Sequence, residues 1–535
     1  MDSQTSSKHR TPGRVALILV GALIFNFSLH AQEAPSGAQT VPPEVLKQLE
    51  ELTKRVGQLE QQLKERDLAG QATPVAQPAK GTIPVQAVMG NALVPAQTEA
   101  AADTTSKPEP TAPFSEADWT WLNGNPRTKD AVFDSKFFTP EIRSDVAYHY
   151  DWNHPKDDTI GGSSEVFRAS EVSLTHLGVG GDFHYDHVRA RIFTQLGLYS
   201  TATPRNDASY SRGQWQLDNA YRYLNEAYGG YHFDALHGIN VDAGIFLSYV
   251  GLFSFYQFDN WAYQPSYVSS NTPWFFTGMR VQIFPTAKLK IEPWIINGWQ
   301  SYARPNGRLG LGGQILWRPT PWFSFIANNY GAGADAVGIP NRTRYHTDDS
   351  IQIKYYDHPE RFMDKMAFSL TGDAGCEEGG GVACTGDKRD AAGNILAYKQ
   401  SFLGFMLYNR WWFHKDRYGF TLGGGEINNP GRYLVLLPPI NGATAASGTP
   451  YFTENPGDPF KAWDMSATYD YMPSQYITFR WEFNHRHANV PYFSGPGGVT
   501  PPGGNQGGPG TVVTDWSPDL RHTENRGTMA ILVKF

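Results

Sequence analysis

In Met529-Ala-Ile-Leu-Val-Lys-Phe535 the residues Met529, Ile531, Val533 and Phe535 share one side of an extended strand, because successive strand side chains point to opposite faces. An alternating strand that closes on an aromatic suits a transmembrane β-barrel, whose lipid face is apolar and whose interfaces carry aromatic girdles. The template recurs upstream. Val188, Ala190, Ile192 and Leu196 oppose Arg189, Arg191 and Gln195, and Ile477, Phe479, Trp481 and Phe483 oppose Thr478, Arg480 and Glu482. A soluble sandwich must cover such faces with a second sheet, whereas lipid accepts them directly.

Other classes fall away on composition. A bundle of membrane helices needs repeated apolar runs of about 18 residues or more, and only Val15 to Ala31 is comparable. Two cysteines in 535 residues make no disulfide scaffold, and no Cys/His cluster offers a metal site. The 15 Trp, 27 Tyr and 31 Phe, beside only 18% charged residues, require burial or lipid.

Lys8, Arg10 and Arg14 precede the apolar run that ends in Leu29-His30-Ala31, the layout of an export signal cut after Ala31. The net charge of -7 includes +2 from residues 1–31 (three basic residues against Asp2), leaving -9 for the rest and excluding a nucleic-acid binder. In residues 32–68 the apolar positions Val45, Leu49, Leu52, Val56, Leu59 and Leu63 alternate spacings of four and three, a heptad seam expected to form a short coiled coil. Residues 69–114 are rich in Ala, Pro, Thr and Gln, a linker composition. From 115 to 535 short alternating segments separated by turns predict an all-β domain, a 16-stranded antiparallel transmembrane barrel.

The strands are expected to begin near Ile142, Glu171, Val188, Ala220, Ile239, Thr277, Leu289, Arg308, Phe323, Arg342, Lys365, Ile395, Tyr418, Ala462, Tyr476 and Glu524. Tight turns fall after every even strand and the long connections between them, at 200–217, 250–275, 375–393, 429–460 and 486–522. Bacterial barrels alternate short periplasmic turns with long outer loops, so both termini face the periplasm. A barrel of sixteen strands encloses an aqueous channel.

Four stretches, Ala117-Asp-Trp-Thr-Trp-Leu-Asn-Gly124, Leu177-Gly-Val-Gly-Gly-Asp-Phe-His184, Asn260-Trp-Ala-Tyr-Gln-Pro-Ser-Tyr267 and Ile295-Ile-Asn-Gly-Trp-Gln300, resemble the β-barrel porin-2 (OmpL-like) family over about residues 115–535. The resemblance implies a Gram-negative outer-membrane barrel in contact with lipid. A sixteen-stranded barrel behind a coiled coil is also similar to the phosphate-selective porins, which implies a homotrimer. Unlike those porins, the strands show no ladder of closely spaced lumenal arginines and lysines.

A channel that passes small hydrophilic solutes is then expected, with its chemistry at the narrowest ring. The third outer loop, 250–275, carries Phe253, Phe255, Tyr256, Phe258, Trp261, Tyr263, Tyr267, Trp274 and Phe275, with Asp259 its only charge. So large an apolar set is avoided on exposed surfaces, so the loop is expected to fold into the lumen. Phe255, Asp259, Trp261 and Tyr263 are its candidate constriction residues, facing Arg189, Arg191, Arg280 and Arg480. Inward Arg189, Arg191, Arg280, Lys290 and Arg480 against Asp242, Glu292, Asp464 and Glu482 make a mixed field. Aromatic faces there would stack on sugar rings. Cys376 and Cys384 enclose Glu377 to Ala383 in an outer loop, and outside the cytoplasm such a pair is expected to oxidise. Enzyme motifs are absent: Gly310-Leu-Gly-Gly313 is too short for a dinucleotide loop, His485 and His487 flank a strand end, Ser369 has no identifiable histidine partner, and there is no G-x-S-x-G elbow. No catalytic residue, cofactor or metal ligand is expected. The alternative is a structural or adhesive barrel with a closed lumen, plugged by Ala117 to Gly124.

Overall fold

Period-two alternation over sixteen segments produces sixteen strands that pair in sequence order and close. In the computed structural model they are β1 (Phe138–Asp151), β2 (Val172–Tyr185), β3 (Val188–Thr194), β4 (Leu224–Phe233), β5 (Ile239–Leu247), β6 (Phe275–Thr286), β7 (Leu289–Ile296), β8 (Gly310–Thr320), β9 (Phe323–Gly333), β10 (Thr343–Asp357), β11 (Met363–Glu378), β12 (Ser401–Phe413), β13 (Tyr418–Asn428), β14 (Lys461–Ser474), β15 (Ile477–Ala488) and β16 (Thr523–Lys534). Neighbours are antiparallel, and β16 pairs with β1, Ile531 opposite Val146. Closure leaves no unpaired edge, which a sheet in lipid cannot tolerate. The structure describes residues 111–535 apart from 130, 205–206, 210–211, 334–338, 434–451, 454 and 505–510, together with Lys54. The expected export signal, the heptads and the linker up to residue 110 lie outside the described residues.

Outward residues are exposed and inward ones buried. In β12, Leu403, Phe405 and Leu407 are exposed while Gly404, Met406 and Tyr408 are buried. Exposed Tyr185, Phe233, Trp317, Trp322, Tyr355 and Phe535 gather at the short-turn end, as an interfacial belt does. Asp186 and His187, which alone join β2 to β3, both have positive φ (48° and 66°), the backbone of a turn whose twist matches a two-residue hairpin.

Three expected starts need correction. The first strand begins at Phe138, four residues before Ile142, its end pairing Phe138 with Phe183 of β2. The fourth strand begins at Leu224, because Leu217–Tyr221 forms a helical turn just before it. The twelfth begins at Ser401: Ile395–Lys399 pairs instead with Val382–Ala383 and Lys388–Arg389 in a three-stranded sheet outside the barrel. Alternation alone cannot tell a wall strand from a loop strand, and the break at Gln400 separates them. Cys376 and Cys384 are joined in a disulfide beside that sheet, with a Cα–Cα distance of 5.2 Å.

The loops at the long-connection end hold one another. Asp157, between β1 and β2, accepts the backbone N–H groups of Val499 and Thr500 at 2.8 and 2.7 Å, between β15 and β16. Burial raises the affinity of the Asp157 carboxyl for a proton, but hydrogen bonds from Thr500, Val499 and Thr159 outweigh it and hold the pKa below the ordinary value. A lowered folded-state pKa means that the tie is present above the ordinary carboxylate range and lost as pH falls through the folded value. Limited proteolysis of the 495–504 segment should therefore accelerate on strong acidification in the wild type. In Asp157→Ala it should be fast already at neutral pH, with a weaker response to acid.

Candidate functional site

The loop between β5 and β6, residues 248–274, turns into the barrel. Its aromatics meet an inward face that is itself apolar: Leu252, Trp261 and Val268 pack with Met406, Tyr408 and Trp412 of β12, and the rings of Trp261 and Trp412 lie edge to face at 5.6 Å. Its one acid is compensated. Asp259 pairs with Arg143 of β1 at 2.7 Å and with Lys534 of β16 at 3.5 Å. Arg143 also pairs with Glu141 and lies 3.9 Å over the Tyr256 ring.

The loop backbone is gripped by strand charges. Arg480 of β15 donates to the carbonyls of Gln257 (2.9 Å) and Asn260 (2.6 Å) and pairs with Asp470 of β14 at 2.7 Å. Arg410 of β12 shares Asp470 at 2.7 Å and donates to the Trp261 carbonyl at 3.2 Å. Glu482 accepts the N–H groups of Tyr263 (2.6 Å) and Gln264 (2.8 Å), while Asp464 accepts the Tyr267 N–H (3.0 Å) and the Ser266 hydroxyl (2.7 Å). An inserted loop cannot leave its peptide groups unpaired, and these side chains do for it what a ladder does for a strand.

Two further segments enter. Between β1 and β2, the Ser163 hydroxyl donates to Gln264 at 2.5 Å and Glu165 accepts from Gln264 at 2.6 Å. From the short-turn end, residues 114–128 cross the barrel mouth. The Phe114 N–H donates to the Ala287 carbonyl at 2.7 Å, Arg127 donates to the carbonyls of Met472 and Pro473 at 2.8 and 2.9 Å, and Asn125 donates to the Ser474 carbonyl at 3.1 Å. Trp119, Trp121 and Leu122 are fully buried, and Arg318 lies over the rings of Phe114 and Trp119 at 5.2 and 5.1 Å. The segment meets the third loop at Gly124. Its N–H donates to the Asp259 carbonyl at 2.8 Å and its own carbonyl accepts Arg410 at 2.7 Å.

The expected constriction residues are only partly brought together. Asp259, Trp261 and Tyr263 gather with Arg480. Arg191 joins them indirectly, through Glu141 at 2.7 Å, and also binds Asp182 and Glu226, each at 2.8 Å. Arg189 of β3 and Arg280 of β6 stand apart from that cluster, sharing Asp242 of β5 at 3.2 and 3.0 Å. Phe255 sits nearer the outer end, against Tyr199 (4.7 Å between centroids) and Trp274 (5.1 Å). Trp261 and Tyr263 are 3% and 0% exposed, so the ring faces expected to stack on sugars are covered, Trp261 by Trp412 and Tyr263 by the β1 side, where its hydroxyl reaches Asp145 at 3.1 Å. Arg143, Arg318, Arg344, Arg410, Arg486 and Arg526 join the inward cations named from the sequence, all buried. The strands that carry such cations supply one or two each, and others, such as β2, β5 and β13, supply none. The inward series Glu141, Arg143, Asp145 is the signal within β1 that points to this set.

A family model described as putative beta-barrel porin-2, OmpL-like, matches residues 144–514. The chain belongs to that family. Among solved structures this porin-2 barrel is similar to DcaP, an outer membrane channel of Acinetobacter baumannii, at 12% identity over 76% of this chain and 100% of that one (TM-score 0.42). It is similar to OmpT, an outer membrane protein of Vibrio cholerae, at 7% identity over 76% and 100% (TM-score 0.40), and to Pseudomonas putida OprB at 11% over 74% and 94% (TM-score 0.40). No curated protein sequence matches it.

Gly124 is where the two inserted segments of the porin-2 lumen touch. A Cβ at that position would come within 2.3 Å of the Asn260 carbonyl oxygen and 2.6 Å of that of Phe258. Gly124→Val should unseat residues 114–128 while leaving the barrel folded. A cysteine introduced at Leu122 should then react with a water-soluble thiol reagent in the Gly124→Val background and stay protected without it.

Proposed function

We propose that this is an outer-membrane porin that passes small hydrophilic solutes by passive diffusion, as a homotrimer with its N-terminus in the periplasm. The observation that carries the reading is the asymmetry of the lumen. The third loop takes its charged anchors from β1, β12 and β14–β16 and reaches β4, β8 and β9 only through the neutral residues Tyr256 and Tyr249, while β5–β7 present Asp242, Arg280 and Glu292 inward, paired within the wall. An outward apolar face and an inward polar one are what a solute pathway through lipid needs. No covalent chemistry enters the reading, and no cofactor.

One observation favours a second reading, a barrel whose lumen is shut. Residues 114–128 and the third loop meet in the interior at Gly124 and Asp259. Planar-bilayer recordings separate the two. A porin gives wild-type channels, and deletion of Gln257 to Tyr263 raises their conductance by roughly twofold or more, as expected when a constriction is removed. A barrel silent in the wild type and conducting only after deletion of Glu116 to Gly124 supports the shut reading. Silence of both the wild type and the two deletions overturns the channel.

For assembly, Leu52→Asp with Leu59→Asp places charges in the expected heptad seam. The mass of the detergent-extracted protein should fall from trimer to monomer, with the barrel still resistant to unfolding in SDS without heating.

A further inference from the structure

The outward face of the wall is apolar in mid-strand, with Ile295, Leu407, Met465, Phe483 and Ile531 all exposed there. On β10 the rule breaks. Asp349 alternates with buried Asp348 and Ser350, so its side chain is on the lipid side, between the outward Thr347 and Ile351. It lies six residues from exposed Tyr355 at the short-turn belt and four from exposed Tyr345 towards the other end. At a rise of about 3.3 Å per residue along tilted strands, that position falls inside an apolar band about 25 Å tall. The Asp349 carboxyl has two neutral donors, the Thr347 hydroxyl at 3.0 Å and the Asn328 backbone N–H at 3.2 Å, and no cation pairs with it among the described residues. Asn329 of β9, opposite Thr347, is exposed on the same face, and its carboxamide has no hydrogen-bond partner among the described residues. Around these two the surface is low. Ala327 and Gly372 flank Asp349 in the ladder, one on either side, and Gly313 of β8 stands opposite Asn329.

A carboxyl and a carboxamide with hydrogen-bonding capacity to spare are costly against hydrocarbon, and ionisable residues at membrane depth are rare where lipid is the neighbour. Protein that covers them and supplies the missing partners removes that cost. We propose that the face of β8–β11 centred on Asp349 and Asn329 is the wall-to-wall contact between copies of this chain in the membrane. The occupant is a second copy because the patch answers itself. It holds an acceptor on β10 and an unengaged donor amide on β9, and around a rotation axis the β9 side of one barrel meets the β10 side of the next, which sets the Asn329 amide of one copy against Asp349 of its neighbour. Ala327, Gly372 and Gly313 let the two walls approach closely, as small residues do between other membrane segments. The heptad seam from Val45 to Leu63 is expected to gather copies of the same chain. The surface rests on the homotrimer reading and adds to it which side of each barrel faces its neighbours.

The test uses the full chain in its own membranes. Copies carrying Ala327→Cys and copies carrying Gly372→Cys are made in the same cells and treated with a short, membrane-permeant bismaleimide. The native cysteines are already joined to each other, and a Cβ at Gly372 meets nothing within 4 Å. Cross-linked species of two and three chains should appear in SDS gels, about tenfold above those from Met465→Cys, whose exposed side chain lies on β14. Adding Asp349→Leu with Asn329→Leu to both copies should cut that yield about fivefold. Leucine suits a lipid-facing position, so these variants should fold, and heat-modifiable migration in SDS gels verifies this. The mass of the detergent-extracted wild type tests the homotrimer reading separately. A trimeric mass with cross-links from Met465→Cys and none from the β9 and β11 positions overturns this surface and keeps the trimer. A monomeric wild type without cross-links overturns both. An equal yield with the leucines in place overturns the pairing of Asp349 with Asn329 as what holds the contact.

Discussion

Asp470 lies between Arg410 and Arg480, and all three are fully buried. One carboxylate cannot answer two guanidinium groups, and an uncompensated buried charge is among the costliest features a fold can carry. The remaining donors therefore need acceptors, and they find them in the carbonyls of Gln257, Asn260 and Trp261 on the third loop and of Gly124 on the N-terminal segment. The dependence is mutual. The loop needs partners for peptide groups that no sheet satisfies, and the arginines need oxygens that no second aspartate supplies. A solvated channel wall would leave these arginines to water; here they bind protein, so the interior is partly a core.

The opposite half behaves differently. Arg280 is held by Asp242 and lies over the rings of Phe246 and Tyr228 at 4.6 and 4.8 Å, and Glu292 takes Lys290 at 2.8 Å, Gln282 at 2.7 Å and the Trp294 indole at 2.8 Å. These charges close within the wall, and what this half gives the third loop is neutral: Trp294 stacks on Tyr249 at 5.0 Å, the Gln314 amide donates to the Tyr249 carbonyl at 3.0 Å, and the Tyr249 hydroxyl donates to the Asn329 carbonyl at 2.6 Å. The two halves differ in where their charges go: one half spends them on the inserted loop, and the other pairs them within its own strands.

Much of the barrel was legible in the sequence because lipid imposes a simple rule. Val188, Ile192, Trp481 and Phe483 are outward and exposed, as alternation required, and turns such as Asp186-His187 fall where short connections were expected. Alternation failed where a strand is not part of the wall, as at Ile395–Lys399, and where local helix intervened, at Leu217–Tyr221. The site was harder to read. That the third loop is inserted followed from its aromatics, but its partners did not, since Tyr263 meets Glu482 and Asp259 meets Arg143 across more than a hundred residues of chain. β12 hid its role because Met406, Tyr408 and Trp412 make its inward face as apolar as its outward one. The entry of the β1–β2 loop left no compositional mark: Ser163 and Glu165 are ordinary loop residues until Gln264 is placed beside them.

The N-terminal segment also constrains the order in which the molecule can be built. Asn125 binds Ser474 and Thr478, about 350 residues later in the chain, and contacts of such separation form late because the intervening loop must first be closed. Its other partner, the Asp259 carbonyl, exists as a site only after the third loop has entered. The part of the barrel domain that comes first in the chain therefore docks on surfaces that only later parts of the chain complete, the β14–β15 turn and the inserted third loop.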